Sequence, residues 1–352
     1  MSLPNCRGGW QLNNKFKAVE LRWATRLVRR ICRIAGEPRL IDNLSRDFAK
    51  RGVRNAIRRH DTSVLFDWLL EAVSFQGIGN HVAHDYMERH GRVRWSQIAA
   101  LIETGPKCPK LQSYWHFDRC GYQKVERCCA EPGHLPACPL PTHDLRNGRL
   151  NQAAYSLFLF MRDIINGDFV DWIDRRLADA DCAPAPDRAM RLRDALIEPL
   201  SHIHGVSNKV LSMALADLLL AGDPRRVLWT EAGAGMIAVD TLVHNFLHRT
   251  GILRRLDAEH QYGPTCYAPD GCAEILERVA ATIDARRFNP AFPTNFPRFV
   301  QHAVWRFCAE NGLDECNGRQ IGDCARCGRR ECPVFPLCDR ITLKPQMDLQ
   351  DD

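Results

Sequence analysis

The stretch Leu200-Ser-His-Ile-His-Gly-Val-Ser-Asn-Lys-Val-Leu-Ser-Met-Ala-Leu215 is the most informative in the chain. It reads as the end of one helix, a tight turn at Gly205, and a second helix opened by Ser207 or Asn208, both good N-caps. A hairpin of this kind presents backbone amides at a helix N-terminus, where partial positive charge favours a phosphate. Such a grip on a DNA backbone reads no base sequence.

Outward from the hairpin, helical patterning dominates. Apolar residues recur at three- and four-residue spacing over 15–34, 40–57, 66–73, 155–165 and 210–220, and no alternating, strand-like run competes. The spacing predicts an all-α protein. Gly105-Pro106 ends one helical segment, the Ala-Pro repeat at 183–186 opens a loop, and a proline-rich loop runs from Asn289 to Pro297. The stretch 106–149 differs from its flanks: rich in Cys, Pro and His and poor in aliphatics, it reads as an insertion held by something other than a hydrophobic core, such as a metal.

Composition bounds the function classes. The 352 residues are 45% hydrophobic and 26% charged, which excludes collagen, coiled coil and wholesale disorder and suggests about two domains. The best apolar run, 210–221, contains Asp217 and falls far short of the roughly 20 residues a membrane span needs. The first fifteen residues lack the apolar stretch of a secretory signal, so the expectation is a soluble, cytoplasmic protein without a membrane partner; the phosphate-gripping hairpin makes it DNA-associated, and a monomer is expected. Sixteen cysteines in such a chain read as thiolates for metal or iron-sulfur binding rather than as disulfides. The net charge is +6, yet between Leu21 and His60 twelve Arg or Lys face only Glu37, Asp42 and Asp47. A basic face that dense suits a polyanion, although a solvated helix surface would look the same.

Thirty-one residues beyond Lys209, Asp240 ends the apolar run Met236-Ile-Ala-Val239 and opens another helical pattern. Gly205-Val206-Ser207-Asn208-Lys209 followed by Val239-Asp240-Thr241, with Arg249 and Gly251 further on, resembles the helix-hairpin-helix DNA glycosylase superfamily, in particular its endonuclease III branch. The segment 66–76 resembles the helix that brings that family's glutamine to the lesion, here Gln76. The resemblance spans roughly 66–338. It implies a two-lobed, all-α glycosylase fold with double-stranded DNA across the cleft, interrupted by the Cys-rich insertion and closed by a C-terminal Cys-rich metal loop. The implied divisions are a basic helical segment at 1–60, the first part of the glycosylase domain at 61–105, the insertion at 106–149, the hairpin and carboxylate core at 150–307, a cluster loop at 308–340 and an acidic tail at 341–352.

The resemblance also implies an activity. Such enzymes flip a damaged, modified or mispaired base out of the duplex and break its glycosidic bond in base excision repair. Lys209 would attack the sugar C1′ and form a Schiff base that permits abasic-site (AP) lyase cleavage. Asp240 would help activate it and stabilise positive charge on the sugar. Gln76 would touch the lesion site, and Gly205, Val206, Ser207 and Asn208 would clamp a phosphate. The plainer readings are a phosphate-contacting Lys209, an Asp240 that only caps its helix, and an ordinary half-buried Gln76. They correspond to a monofunctional glycosylase using water, or to a non-catalytic, metal-stapled DNA-binding protein. The chain departs from the family at Ser207, where a second glycine is usual, at Leu242 in place of histidine and at Asn245 in place of arginine; its gap from Lys209 to Asp240 is also long.

The tail carries Cys316, Cys324, Cys327, Cys332 and Cys338. Cys324 and Cys327 are close enough to reach one metal, and endonuclease III relatives close with C-x6-C-x2-C-x5-C around a [4Fe-4S] cluster. Here the final C-x5-C is present but offset from the C-x2-C. The expected ligands are Cys324, Cys327, Cys332 and Cys338, with Cys316 as the substitute and zinc as the rival metal. In the insertion, Cys120, Cys128 or Cys129, and Cys138, near Cys108, His116, His134 and His143, could hold a second, structural zinc.

Overall fold

The computed structural model describes residues 16–344, apart from 76, 77, 79, 106, 107, 132, 134–137 and 182–187. Among them the chain is all-α, as the periodicity predicts. In order the helices are α1 (Ala18–Ala35), α2 (Leu40–Lys50), α3 (Val53–Arg59), α4 (Thr62–Ser74), α5 (Asn80–His90), α6 (Trp95–Glu103), α7 (Tyr114–Phe117), α8 (Asn151–Asp163), α9 (Phe169–Ala180), α10 (Arg188–Leu200), α11 (Asn208–Ala221), α12 (Val227–Gly235), α13 (Thr241–Thr250), α14 (Ile252–Arg255), α15 (Cys272–Ala280) and α16 (Pro297–Cys308). The single helical pattern at 40–57 is two helices, broken where Gly52 takes φ 74°. A two-stranded antiparallel ladder, β1 (Tyr122–Gln123) with β2 (Cys128–Cys129), lies inside the insertion and pairs Tyr122 with Cys129.

The chain divides into two units. Unit 1 takes residues 1–43, 184–190 and 230–352, and unit 2 takes 44–183 and 191–229. These differ from the divisions expected from the sequence: the basic segment 1–60 is shared between the units, and the insertion belongs to unit 2 without a boundary of its own.

Unit 1 is organised by α1, whose Ala24, Leu27, Val28, Ile31 and Ala35 form one buried stripe against α14, α15 and α16. That three- and four-residue repeat is why the segment is helical and why one face of it leaves water. Thr25 Oγ1 and Thr282 Oγ1 lie 3.0 Å apart, and Arg29 donates to the Thr282 carbonyl (2.9 Å).

In unit 2, α4 buries Leu65, Phe66, Trp68, Leu69 and Leu70 and packs on α3, α6, α8, α9 and α11. All of 151–161 on α8 is buried. The insertion hangs from this helix through polar contacts. Asn151, fully buried, donates to the carbonyls of Leu140 (2.8 Å) and His143 (2.7 Å) and accepts from Leu145 N (3.1 Å). A buried amide with its bonds met fixes one arrangement, because any other leaves it unpaired at a cost of about 1–3 kcal/mol.

Among the described residues, no helix is long and apolar enough to cross a membrane.

Candidate functional site

Two helices flank the turn at Gly205. α10 ends at Leu200, Gly205 turns the chain with φ 76°, and Ser207 stands at the N-cap of α11, although its side chain makes no capping bond. Ile203 anchors the turn in the core, leaving Gly205, Ser207 and Asn208 exposed and Val206 half-buried. Lys209, second residue of α11, is half-buried and has no hydrogen-bond or ion-pair partner among the described residues. The insertion brings a second ammonium here: Lys124 Nζ lies 3.2 Å from where a Gly205 Cβ would be.

Asp240 stands at the N-cap of α13, its Oδ1 accepting from Val243 N at 2.9 Å. Lys209 belongs to unit 2 and Asp240 to unit 1. Gln76 lies outside the described residues, just past the end of α4. Beside α4, unit 2 holds a cavity of about 390 Å³. Its arginines are neutralised locally: Arg51 and Arg92 pair with Glu71 (2.8 and 2.6 Å), and Arg94 with Asp67 (3.3 Å).

On α1, Arg22, Arg26, Arg30 and Arg33 are exposed and unpartnered among the described residues. Their spacing of four, four and three puts them on one face, opposite the buried stripe. Among the described residues the basic run is therefore partly a stripe of unpartnered guanidinium groups, while Arg51 and Arg59 of the same run are tied to Glu71 and Asp61.

The structure brings together a set of metal donors that the sequence reading missed. His244 on α13, His260, Cys266 and Cys272 at the start of α15 have all four donor atoms within 4.8 Å of one another, and the group could hold one metal ion. His244 Nδ1 is 3.4 Å from Cys272 Sγ and 3.5 Å from Cys266 Sγ; His260 Nε2 is 3.3 Å from Cys272 Sγ. Without a metal, bonds from Cys272 and the two imidazoles lower the Cys266 pKa, while its bond to Cys266 and burial hold Cys272 in the thiol form. Fifteen residues separate the histidines and five separate each later pair. No close pair such as C-x2-C flags them; the available signal was two cysteines, Cys266 and Cys272, assigned to neither cysteine-rich cluster.

In the C-terminal loop, Cys316, Cys327, Cys332 and Cys338 line one small cavity beneath the end of α13, together with Arg249 and Phe335. Cys324 is exposed and does not line it, whereas Cys316, the reserve candidate, does. Arg249 is 2% exposed; its Nη2 donates to the carbonyls of Ile321 and Gly322 (both 3.2 Å), and its Nη1 is buried with no partner. The loop is sewn to α13 by Asp339 N to Thr250 O (3.0 Å) and Ile341 N to Arg249 O (2.8 Å). Gly251 lets them approach: a Cβ there would sit 2.2 Å from Asp339 Oδ2, and φ is already 88°.

The insertion gathers four more thiols. Cys120 lies within electrostatic reach of Cys108 and Cys129, and Cys138 within reach of all three. Glu131 N–H, two residues further on, bonds to Cys129 Sγ at 3.4 Å. Cys128 precedes Cys129 on β2, and adjacent strand residues face opposite ways. His116 is engaged by Ser113 and His143 by Tyr155, and His134 lies outside the described residues.

A scan against protein-family models finds no match to the chain, and searches of curated proteins and of solved structures find none either.

Proposed function

We propose that the chain is a DNA glycosylase of the helix-hairpin-helix type with abasic-site lyase activity. The observation that carries this reading is the hairpin: an exposed turn at Gly205 opening a helix on whose first turn Lys209 lacks a counter-ion among the described residues. The exposed amides and the Lys124 ammonium suit a DNA phosphate, and the stripe of Arg22, Arg26, Arg30 and Arg33 suits more of the backbone.

In the proposed reaction the neutral Lys209 amine attacks C1′ of the flipped nucleotide. The C1′–N bond breaks, and its electron pair leaves with the base, which takes up a proton. The amine adduct opens the sugar ring to a Schiff base. Loss of a C2′ proton then expels the 3′ phosphate by β-elimination, and water releases the lysine. The Asp240 carboxylate spends one oxygen on its helix cap, which leaves the other to stabilise positive charge on the sugar.

The donor set of the C-terminal loop suits the [4Fe-4S] cluster that the resemblance implies, with Cys316, Cys327, Cys332 and Cys338 as ligands. Four thiols around one cavity, with a buried guanidinium nitrogen lacking an acceptor, favour an anionic group there. The cluster would supply a rigid cross-link and a site of one-electron exchange. Zinc at the same four thiols is the rival. In the insertion, Cys108, Cys120, Cys129 and Cys138 are the ligands proposed for a structural zinc.

Borohydride trapping on duplex DNA with one abasic site tests the function. Native protein should give a covalent complex, and Lys209→Ala should give none while keeping DNA binding. No adduct from native protein, or one that survives in Lys209→Ala, sinks the lysine mechanism. Salt-sensitive binding without any adduct would favour a water-using glycosylase or a plain DNA-binding protein.

A further inference from the structure

We propose that His244, His260, Cys266 and Cys272 bind one Zn²⁺ in a closed, structural site that pins the segment 256–272 against the start of α13 and so fixes Asp240. The proposal stands on the geometry and does not depend on the glycosylase reading.

The separations select the metal. With Zn–S near 2.3 Å and Zn–N near 2.0–2.1 Å, a tetrahedron places adjacent N and S donors about 3.6 Å apart. Three of the four nitrogen-sulfur pairs here stand at 3.3, 3.4 and 3.5 Å. These three separations match edges of a zinc tetrahedron, and all four donor atoms lie within 4.8 Å of one another. Two thiolates and two imidazoles are the wrong chemistry for magnesium or calcium, which take oxygen ligands, and tetrahedral S₂N₂ is a zinc pattern. Four protein donors leave no open position, so the role is structural.

The surroundings are those of a built site. His260 Nδ1 donates to the Ala258 carbonyl at 2.7 Å, which leaves Nε2, the nitrogen facing Cys272, as the bare one. Cys266 and Cys272 are fully buried and His244 is 5% exposed. Gly271 lets the chain wrap tightly between the cysteines: a Cβ there would lie 2.4 Å from the Thr265 carbonyl oxygen and 2.8 Å from that of Cys266.

The site reaches Asp240 by two routes. His244 is one turn along α13 from Asp240, and its backbone N–H bonds to the Asp240 carbonyl at 2.9 Å. One residue past Cys266, the Tyr267 hydroxyl accepts from Val239 N at 2.8 Å, holding the residue that precedes Asp240. Asp240 is therefore held between a metal ligand and a residue whose segment the metal closes. The four are positioning residues in this account.

The experiment is metal analysis of the full-length protein, with iron and zinc counted separately. Because the insertion is a separate zinc demand, the reading is the difference between proteins. Cys266→Ser/Cys272→Ser should hold one zinc fewer per chain than native protein, with iron unchanged. His260→Cys, which keeps a tetrahedral donor set, should retain that zinc where His260→Ala loses it. Amide exchange at Val239 and Val243 should speed up in step with the loss. Native mass spectrometry of the unaltered protein keeps the test decisive if the variants fold poorly: a chain with no zinc, or with zinc only on a peptide containing the insertion cysteines, overturns the proposal. So does a double serine variant that keeps the native zinc count.

Discussion

His302 on α16 shows how far one residue's surroundings set its chemistry. Burial, followed by the guanidinium groups of Arg298 and Arg306, pushes its imidazole pKa down to about 3. In the unfolded chain the same group titrates near about 6.5. Below that pH the unfolded chain gains a proton that the folded chain refuses, so stability is full above it and is lost progressively as pH falls toward the folded value. His302→Phe keeps a ring against Trp305, whose centroid is 5.6 Å away, but removes the titration. The urea midpoint of native protein should therefore fall more between pH 7 and pH 5 than that of the variant; equal falls would sink the claim. Single residues were legible in the sequence where the signal is local. Asp240 was readable as a cap because an apolar run stops at it, and Gly205 as a turn because two capping residues and a helical pattern come directly after it. Cys324 was not readable as an outward-facing thiol: its closeness to Cys327 suggests a shared metal, but side-chain direction depends on how the loop meets α13. The donors at His244 and Cys272 stand 28 residues apart, and only folding makes them neighbours.

At the scale of elements, α1 has two contrasting faces. Its buried stripe packs on α14, α15 and α16, and its exposed arginines, unpartnered among the described residues, are the ones proposed to meet DNA. Replacing Arg22, Arg26, Arg30 and Arg33 with alanine should leave the fold intact and weaken duplex DNA binding for every sequence alike. If each contacts one phosphate, the plot of log affinity against log salt should become shallower by about 3–4, at roughly 0.9 per phosphate. Fluorescence anisotropy at several salt concentrations measures this, and an unchanged slope would place the DNA elsewhere. Helices themselves were readable from periodicity to within a few residues, because burial of one face is what makes them helical. The break between α2 and α3 was not, since both halves continue one apolar pattern across Gly52. α13 carries more than any pattern shows. In ten residues, about 15 Å, it runs from the Asp240 cap through His244 to Arg249 and Thr250, where the cysteine loop is attached.

At the scale of the whole molecule, the two compact units are expected to unfold as separate steps. Cys272→Ser should lower the transition of unit 1 and accelerate amide exchange over 239–280. Exchange in α4 and α8, which pack on other helices of unit 2, should not change. Faster exchange throughout would show one cooperative body instead. This division could not be read from sequence, because composition marks the insertion as the odd segment while packing assigns it to unit 2 and joins α1 to the far end of the chain. That last pairing has a consequence for biosynthesis. Thr25 and its partner Thr282 are 257 residues apart. At about 5–20 residues per second, a ribosome needs about 13 to 50 s to make the chain between them. For most of that interval, until α14 is made, Leu27, Val28 and Ile31 have no partner helix, and the apolar face of nascent α1 is open to a chaperone.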